Sequence, residues 1–167
     1  KASQTDTSSD IELNNTSGKI TGIAGVTINT GTLTNAQGQI TSGSDLAIDS
    51  GSNQLNSAQG SLLSLGDIKL TAGKIDLTEG QARAGKALSL SAQEITAAKS
   101  TLVAAGGNLT INANLGSLTA NQAEIASSAA MNIKAGNTNL NQAKLSAGSS
   151  LDLSTAALAA DQANINA

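Results

Sequence analysis

Aliphatic residues recur along this chain in pairs separated by a single residue, which is usually polar. The pairs are Val26/Ile28, Leu46/Ile48, Ile68/Leu70, Leu88/Leu90, Leu109/Ile111, Met131/Ile133 and Leu151/Leu153, and their first members step by 20, 22, 20, 21, 22 and 20 residues. Positions i and i+2 share one face of a strand, whereas a helix needs spacings of three and four that these pairs do not sustain. Each pair predicts a short strand with one face buried. A second motif runs beside the first. Leu33-Thr34-Asn35-Ala36-Gln37-Gly38-Gln39-Ile40 has counterparts starting at Leu13, Leu55, Leu118 and Leu158, most with a Gln and then a small residue before the closing aliphatic.

Self-similarity at about 20 residues marks a solenoid. The two motifs combine into one circuit. From Leu46, the pair Leu46/Ile48 makes a first strand, Gly51 and Asn53 mark a turn, and Leu55 begins a second strand. Gln59-Gly60 turns again, Leu62 and Leu65 point inward, and Gly66-Asp67 closes into Ile68. Such a circuit is the size of a parallel β-helix coil, and coils stack at the inter-strand distance of about 4.8 Å. The expected fold class is therefore all-β, a parallel β-helix of about 7–8 coils of 20–22 residues, with coils starting near Val26, Leu46, Ile68, Leu88, Leu109, Met131 and Leu151. Residues 1–10 are expected as a polar lead-in or the remnant of a preceding coil, and residues 11–167 as the repeat domain. Stacking predicts two inward columns. One holds Leu13, Leu33, Leu55, Leu77, Ile95, Leu118, then Thr138 or Leu140, then Leu158. The other holds Ile20, Ile40, Leu62, Ala84, Leu102, Ile125, Leu145 and Ile165, with Ala84 a thin layer that either is filled by a neighbour such as Leu65 or is the weak layer of the stack. Ordering one coil costs more than burying its few aliphatics returns, so coils are expected to be stable only as a set.

Composition narrows this further. The chain has no Phe, Tyr, Trp, Pro, Cys or His, so its core must be thin layers of small aliphatics. The even spacing of Leu and Ile argues against disorder, despite the polar composition. Net charge is −3, and the charges stand singly. No basic run or aromatic is available to hold a phosphate backbone or stack a base, so no nucleic-acid partner is expected. No apolar run reaches membrane-span length, so no stable membrane insertion is expected, and no signal peptide opens the chain. The first residue is Lys, which suggests a piece of something longer.

The most regular polar feature is a column of Gln37, Gln59, Gln81, Gln122, Gln142 and Gln162, with Lys99 and Ser17 in the remaining coils. Stacked amides can donate from coil to coil, which makes a structural polar ladder the expected role. The outward residues Thr27, Ala47, Lys69, Ser89, Thr110, Asn132 and Asp152 change chemistry from coil to coil, as a solvated face does. A partial threonine column, Thr34, Thr78, Thr96 and Thr119, lacks the matching companions of an ice-binding array. Asp76 and Glu79, with Lys74 and Arg83 nearby, could in principle act as acid and base on a polysaccharide, as could Asp45 and Asp49. Minimal loops and the absence of aromatics favour surface solubility for these carboxylates. No catalytic, cofactor or metal site is expected, and no cofactor.

Leu33-Thr34-Asn35-Ala36-Gln37-Gly38-Gln39-Ile40-Thr41-Ser42-Gly43, followed by Leu46-Ala47-Ile48, resembles the haemagglutinin repeat of filamentous-haemagglutinin-type exoproteins, which are two-partner-secretion adhesins and contact-dependent growth-inhibition effectors. The resemblance covers about residues 11–167. It implies a right-handed β-helix, export through an outer-membrane transporter, and a place on the Gram-negative cell surface or in the secreted fraction. On this reading the chain is a rigid shaft segment presenting an adhesive or toxin-delivery tip, and not an enzyme. The alternatives are an adhesin module whose face recognises a target-cell receptor or glycan and, remotely, a polysaccharide-active enzyme. Exposed strand edges at the two ends would allow end-to-end self-stacking. Relative to the repeat, Glu79, Ala97 and Ala120 are read as replacing its Asn, and Ala or Ser as replacing the Gly after Gln81.

Overall fold

The computed structural model describes residues 3–5 and 11–167. It is a parallel β-solenoid of about eight turns with no helix among the described residues. A partial coil, with strands Ser3–Thr5, Glu12–Asn14 and Lys19–Gly22, precedes seven coils that open at Val26, Leu46, Ile68, Leu88, Leu109, Met131 and Leu151, called coils 1 to 7. Ser3–Thr5 pairs with Thr27–Asn29, and the rest of the polar lead-in lies outside the described residues.

Each coil contributes one strand to each of three parallel stacks, and like positions pair throughout. In the first stack Val26, Leu46, Ile68, Leu88, Leu109, Met131 and Leu151 are consecutive partners. The second and third stacks carry Leu13-to-Leu158 and Ile20-to-Ile165 in the same way. The first two stacks form one continuous 14-stranded sheet, because Met131–Asn139 runs through the corner between them without a turn. The third stack is an eight-stranded sheet. Leu, Ile, Met and Ala from all three stacks, called the first, second and third sheets below, meet in a single buried core.

Two positions in the expected columns are corrected. Ile75, not Leu77, pairs with Leu55 and Ile95, and Ala82, not Ala84, pairs with Leu62 and Leu102. Both corrections are the same two-residue slip within coil 3. A slip of two keeps every inward residue inward, so hydrophobic alternation cannot detect it. Leu77 instead occupies the corner position held elsewhere by Asn35, Ser57 and Ala97, and it is fully buried there. Coil 3 thus carries a large side chain at the corner and a methyl in the third sheet, where its neighbours do the reverse, and so keeps its inward volume. Leu65 does not fill the gap, for it stands 75% exposed at the third corner. In coil 6 Thr138 pairs with Leu118 and Leu158, and Leu140 takes the corner position. Buried Thr138 satisfies its hydroxyl by a 3.0 Å bond to Thr155.

Leu90 lies at the centre of this core with no exposed surface, between Leu70 and Ile111. Leu90→Asp buries an unpaired charge and is expected to unfold several coils, costing about 4 kcal/mol or more. Circular dichroism and thermal melting will read the loss. Ser89→Asp, on the outward face beside Lys69, is expected to shift the melt only slightly, by about 0.5 kcal/mol or less. An unchanged melt for Leu90→Asp would contradict the register.

Candidate functional site

The corner between the second and third sheets is the most uniform part of the chain. In each coil a four-residue turn closes with a backbone bond such as Gly38 N–H to the Asn35 carbonyl, at 2.9 Å. Its third residue adopts positive φ, between 54° and 60°, at Ser17, Gln37, Gln59, Glu79, Lys99, Gln122, Gln142 and Gln162. Residues with a Cβ take that conformation at a cost of roughly 1–2 kcal/mol, and Gly would take it freely. What a side chain adds here is contact along the rod. Gln37 Nε2 donates to Gln59 Oε1 at 3.0 Å, and Gln59 Nε2 donates to Glu79 Oε2 at 2.9 Å. Lys99 Nζ donates back to Glu79 Oε1 at 3.5 Å. The run resumes at Gln122, which donates to Gln142 at 2.7 Å, and Gln142 donates to Gln162 at 3.4 Å.

Glu79 stands where Gln81 was expected. Gln81 lies instead on the outward face of strand Gln81–Ala84, between Ser61 and Thr101, and belongs to no ladder. This too follows from the two-residue slip in coil 3. The same shift places Asp76, not Thr78, beside Thr96, and makes Leu77 the residue in place of the motif's Asn, with Gly80 keeping its Gly. Glu79 is a carboxylate that accepts from both neighbouring coils, one bond on each oxygen, where an amide would present an NH₂ group in place of one of those oxygens. The Gln59 hydrogen bond, then the Lys99 hydrogen bond and charge, hold its carboxyl below the usual value.

Inside the same corner the motif residues have separate tasks. Buried Asn15 donates from Nδ2 to Asn35 Oδ1 at 2.6 Å, and Asn35 Nδ2 donates to Ser57 Oγ at 2.9 Å. A Cβ on Gly38 would collide with the Asn15 carbonyl oxygen and the Asn35 side chain, so the coil above can approach only if this residue is small. Farther along the rod Leu77, Ala97, Ala120 and Leu140 fill the corner with apolar volume, and no amide pair is needed.

The acidic residues singled out from the sequence do not converge. Asp76 Oδ1 accepts from its own turn at Thr78 N–H, 2.9 Å, and Asp49 Oδ1 likewise accepts from Gly51 N–H at 2.8 Å. Asp45 Oδ1 reaches the next coil and accepts from Asp67 N–H at 2.9 Å. Asp67 Oδ1 repeats this to Ala87 N–H at 3.0 Å. Arg83 is exposed on the third sheet. Lys74 Nζ pairs with Glu94 at 2.9 Å, and that hydrogen bond and charge, with Asp76 adding its own charge, hold the ammonium above its usual value. Among the described residues no group of three or more acidic, His or Cys side chains could hold a metal ion.

One feature of the surface was missed in the sequence. Between the first two sheets, coils 2 and 5 each carry two extra residues, Gly51-Ser52 and Asn114-Leu115, which account for the two 22-residue steps. The bulges are built alike. Gly51 and Asn114 have φ of 56° and 52°, and their N–H groups are capped by Asp49 and Asn112 at 2.8 and 2.9 Å. Coils 3 and 4 have the short turn, and an open trough of about 590 Å³ lies across it, from Ser52 in the coil 2 bulge to Gly116 and Ser117 just after the coil 5 bulge. The unequal step lengths were its only sequence signal.

The haemagglutinin repeat, as a family profile, matches residues 10–58, 50–113 and 104–167, end to end along the described solenoid. The chain belongs to the haemagglutinin repeat family. No curated protein and no solved structure matches it significantly. The haemagglutinin repeat is a structural repeat of secreted, surface-located adhesins, and this chain's parallel solenoid fits that description. The family motif is explained by the corner: its Leu and Ile are the two inward layers, its Asn the buried amide, and its Gly the point of closest approach between coils.

The ladder makes two measurable predictions. Gln142→Ala keeps the left-handed backbone cost and loses both amide bonds, whereas Gln142→Gly loses both bonds and the strain as well. The Gly variant is expected to be the more stable by about 0.5–1 kcal/mol in urea titration; equal or reversed midpoints would show the corner unstrained. For Glu79 the folded carboxyl is lowered, so its contribution to stability is complete above the unfolded value of about 4.3 and is lost as pH falls through the lower folded value. The wild-type advantage over Glu79→Gln in denaturation midpoint should therefore be greatest at neutral pH and shrink below about pH 4.

Proposed function

We propose that this chain is a shaft segment of a large secreted surface filament, giving length and stiffness to hold an adhesive or toxin-delivery tip away from the cell. The observation that carries this reading is the identity of register through every coil in all three stacks, with short corners and outward columns of changing chemistry. Family membership supports it. Export through an outer-membrane transporter of a Gram-negative cell, in the two-partner manner, suits a chain whose coils contact only their neighbours and can fold one after another as they emerge.

The test is removal of one whole coil from the parent protein. Deleting residues 26–45 leaves Gly25 followed by Leu46 in place of Val26, so the repeat phase is kept. A shaft so shortened is expected to be exported, to fold, and to leave target-cell attachment within about twofold of the parent, measured by cell-binding titration. Loss of attachment by a variant that is displayed and folded would mean that the segment itself carries recognition.

A further inference from the structure

The trough sits at the corner that carries both two-residue insertions of the solenoid. Its ends stand on coils 2 and 5, three inter-coil steps or about 14 Å apart. Its floor is the short turn of coils 3 and 4. Seven residues with side chains line it and determine what it can hold: Ser52, Asn53, Gln54, Lys74, Gln93, Glu94 and Ser117.

The main chain of this corner offers a ligand little. The Asn53 carbonyl accepts from both Gly73 and Lys74, the Gly73 carbonyl from both Gln93 and Glu94, and the Gly116 carbonyl from both Gly136 and Asn137. An extended peptide, which binds a sheet through main-chain hydrogen bonds, finds those bonds already made. Charge is equally uninformative to a polyion. Lys74 and Glu94 cancel each other at 2.9 Å, and no other ionisable side chain lines the trough. Nor does any aromatic or aliphatic side chain, so an apolar ligand would lose water without gaining contact. What remains is a set of groups that donate or accept: three carboxamides, two hydroxyls, an ammonium and a carboxylate, spread over four successive coils. Such a set suits a chain of hydroxyls, each of which is both donor and acceptor.

We propose that this trough is a binding site for a neutral oligosaccharide lying along the rod axis. The assignment goes beyond the shaft reading and does not depend on it, since a shaft can carry a lateral site and remain a shaft.

The test uses the intact chain against a printed array of neutral, sialylated and sulfated oligosaccharides, with hits titrated by saturation-transfer NMR. Deleting Asn114 and Leu115 draws the coil 5 end of the trough, Gly116 and Ser117, into a short turn and leaves Asn112-Ala113-Gly116-Ser117, the pattern of Thr71-Ala72-Gly73-Lys74. Gln93→Ala, at an exposed position, tests the floor without altering any coil. The expected result is binding of a neutral oligosaccharide that falls at least tenfold in the deletion and severalfold in Gln93→Ala, while Ser146→Ala on the third sheet binds as wild type. Unchanged β-sheet circular dichroism qualifies each variant, and Gln93→Ala decides the matter if the deletion unfolds. No neutral ligand, a preference for sulfated or sialylated ones, or binding that survives Gln93→Ala would overturn the proposal. The coil 1 deletion leaves the trough whole, so the two readings fail separately.

Discussion

Everything in this molecule depends on main-chain hydrogen bonds that run along the rod and join each coil to the next in unchanged register. Because the register does not drift, every side chain lies about 4.8 Å from its own counterpart above and below. Aliphatics tolerate this and fuse into a core. Amides exploit it, since each can donate to the next. Charges tolerate it poorly, because like charges at that distance repel. That explains a composition with only 13% charged residues, placed mostly beside neutral or opposite partners. Lys74 lies between Gln54 and Glu94, and Glu124 pairs with Thr101 and Lys144. Asp45 and Asp67 are adjacent, and there the carboxylates are turned onto backbone N–H groups of the following coils.

The fold was legible because strand alternation and a near-constant step are both visible in the spacing of Leu and Ile. The seven aliphatic pairs of the first sheet align as their spacing implied. Coil 3 was misread because Ile75-Asp76-Leu77 offers two inward residues and alternation alone cannot choose between them. The choice belongs to the corner, where the positive-φ turn sits four residues after Ile75. Two further things were illegible. Asn15 and Asn35 carry no sequence mark separating a buried amide from a surface one, and only stacking brings them to 2.6 Å. The trough runs from Ser52 in coil 2 to Ser117 in coil 5, residues 65 positions apart that come to one surface only after coils 3 and 4 are wound between them.

Corners and sheets divide the labour. The sheets keep their spacing through the whole rod, while all variation in coil length falls at corners: two residues in coils 2 and 5, and one near Gly106-Gly107 in coil 4. A solenoid of this kind can change its surface locally without disturbing the pitch, because an inserted residue at a corner is solvated outside the ladder. Exposed Ile23, Leu65 and Leu115 all stand at corners, where an apolar side chain does not displace a hydrogen-bonded neighbour.

A winding of some twenty residues for each coil also stores contour. Fully extended, about twenty residues reach roughly 66–72 Å, whereas the same residues wound into a coil advance the rod by about 4.8 Å. Peeling one terminal coil under tension would therefore release more than ten times the length it occupied, and would break its axial bonds without disturbing the coils behind it. A solenoid built this way would yield to a pull in discrete increments, one coil at a time.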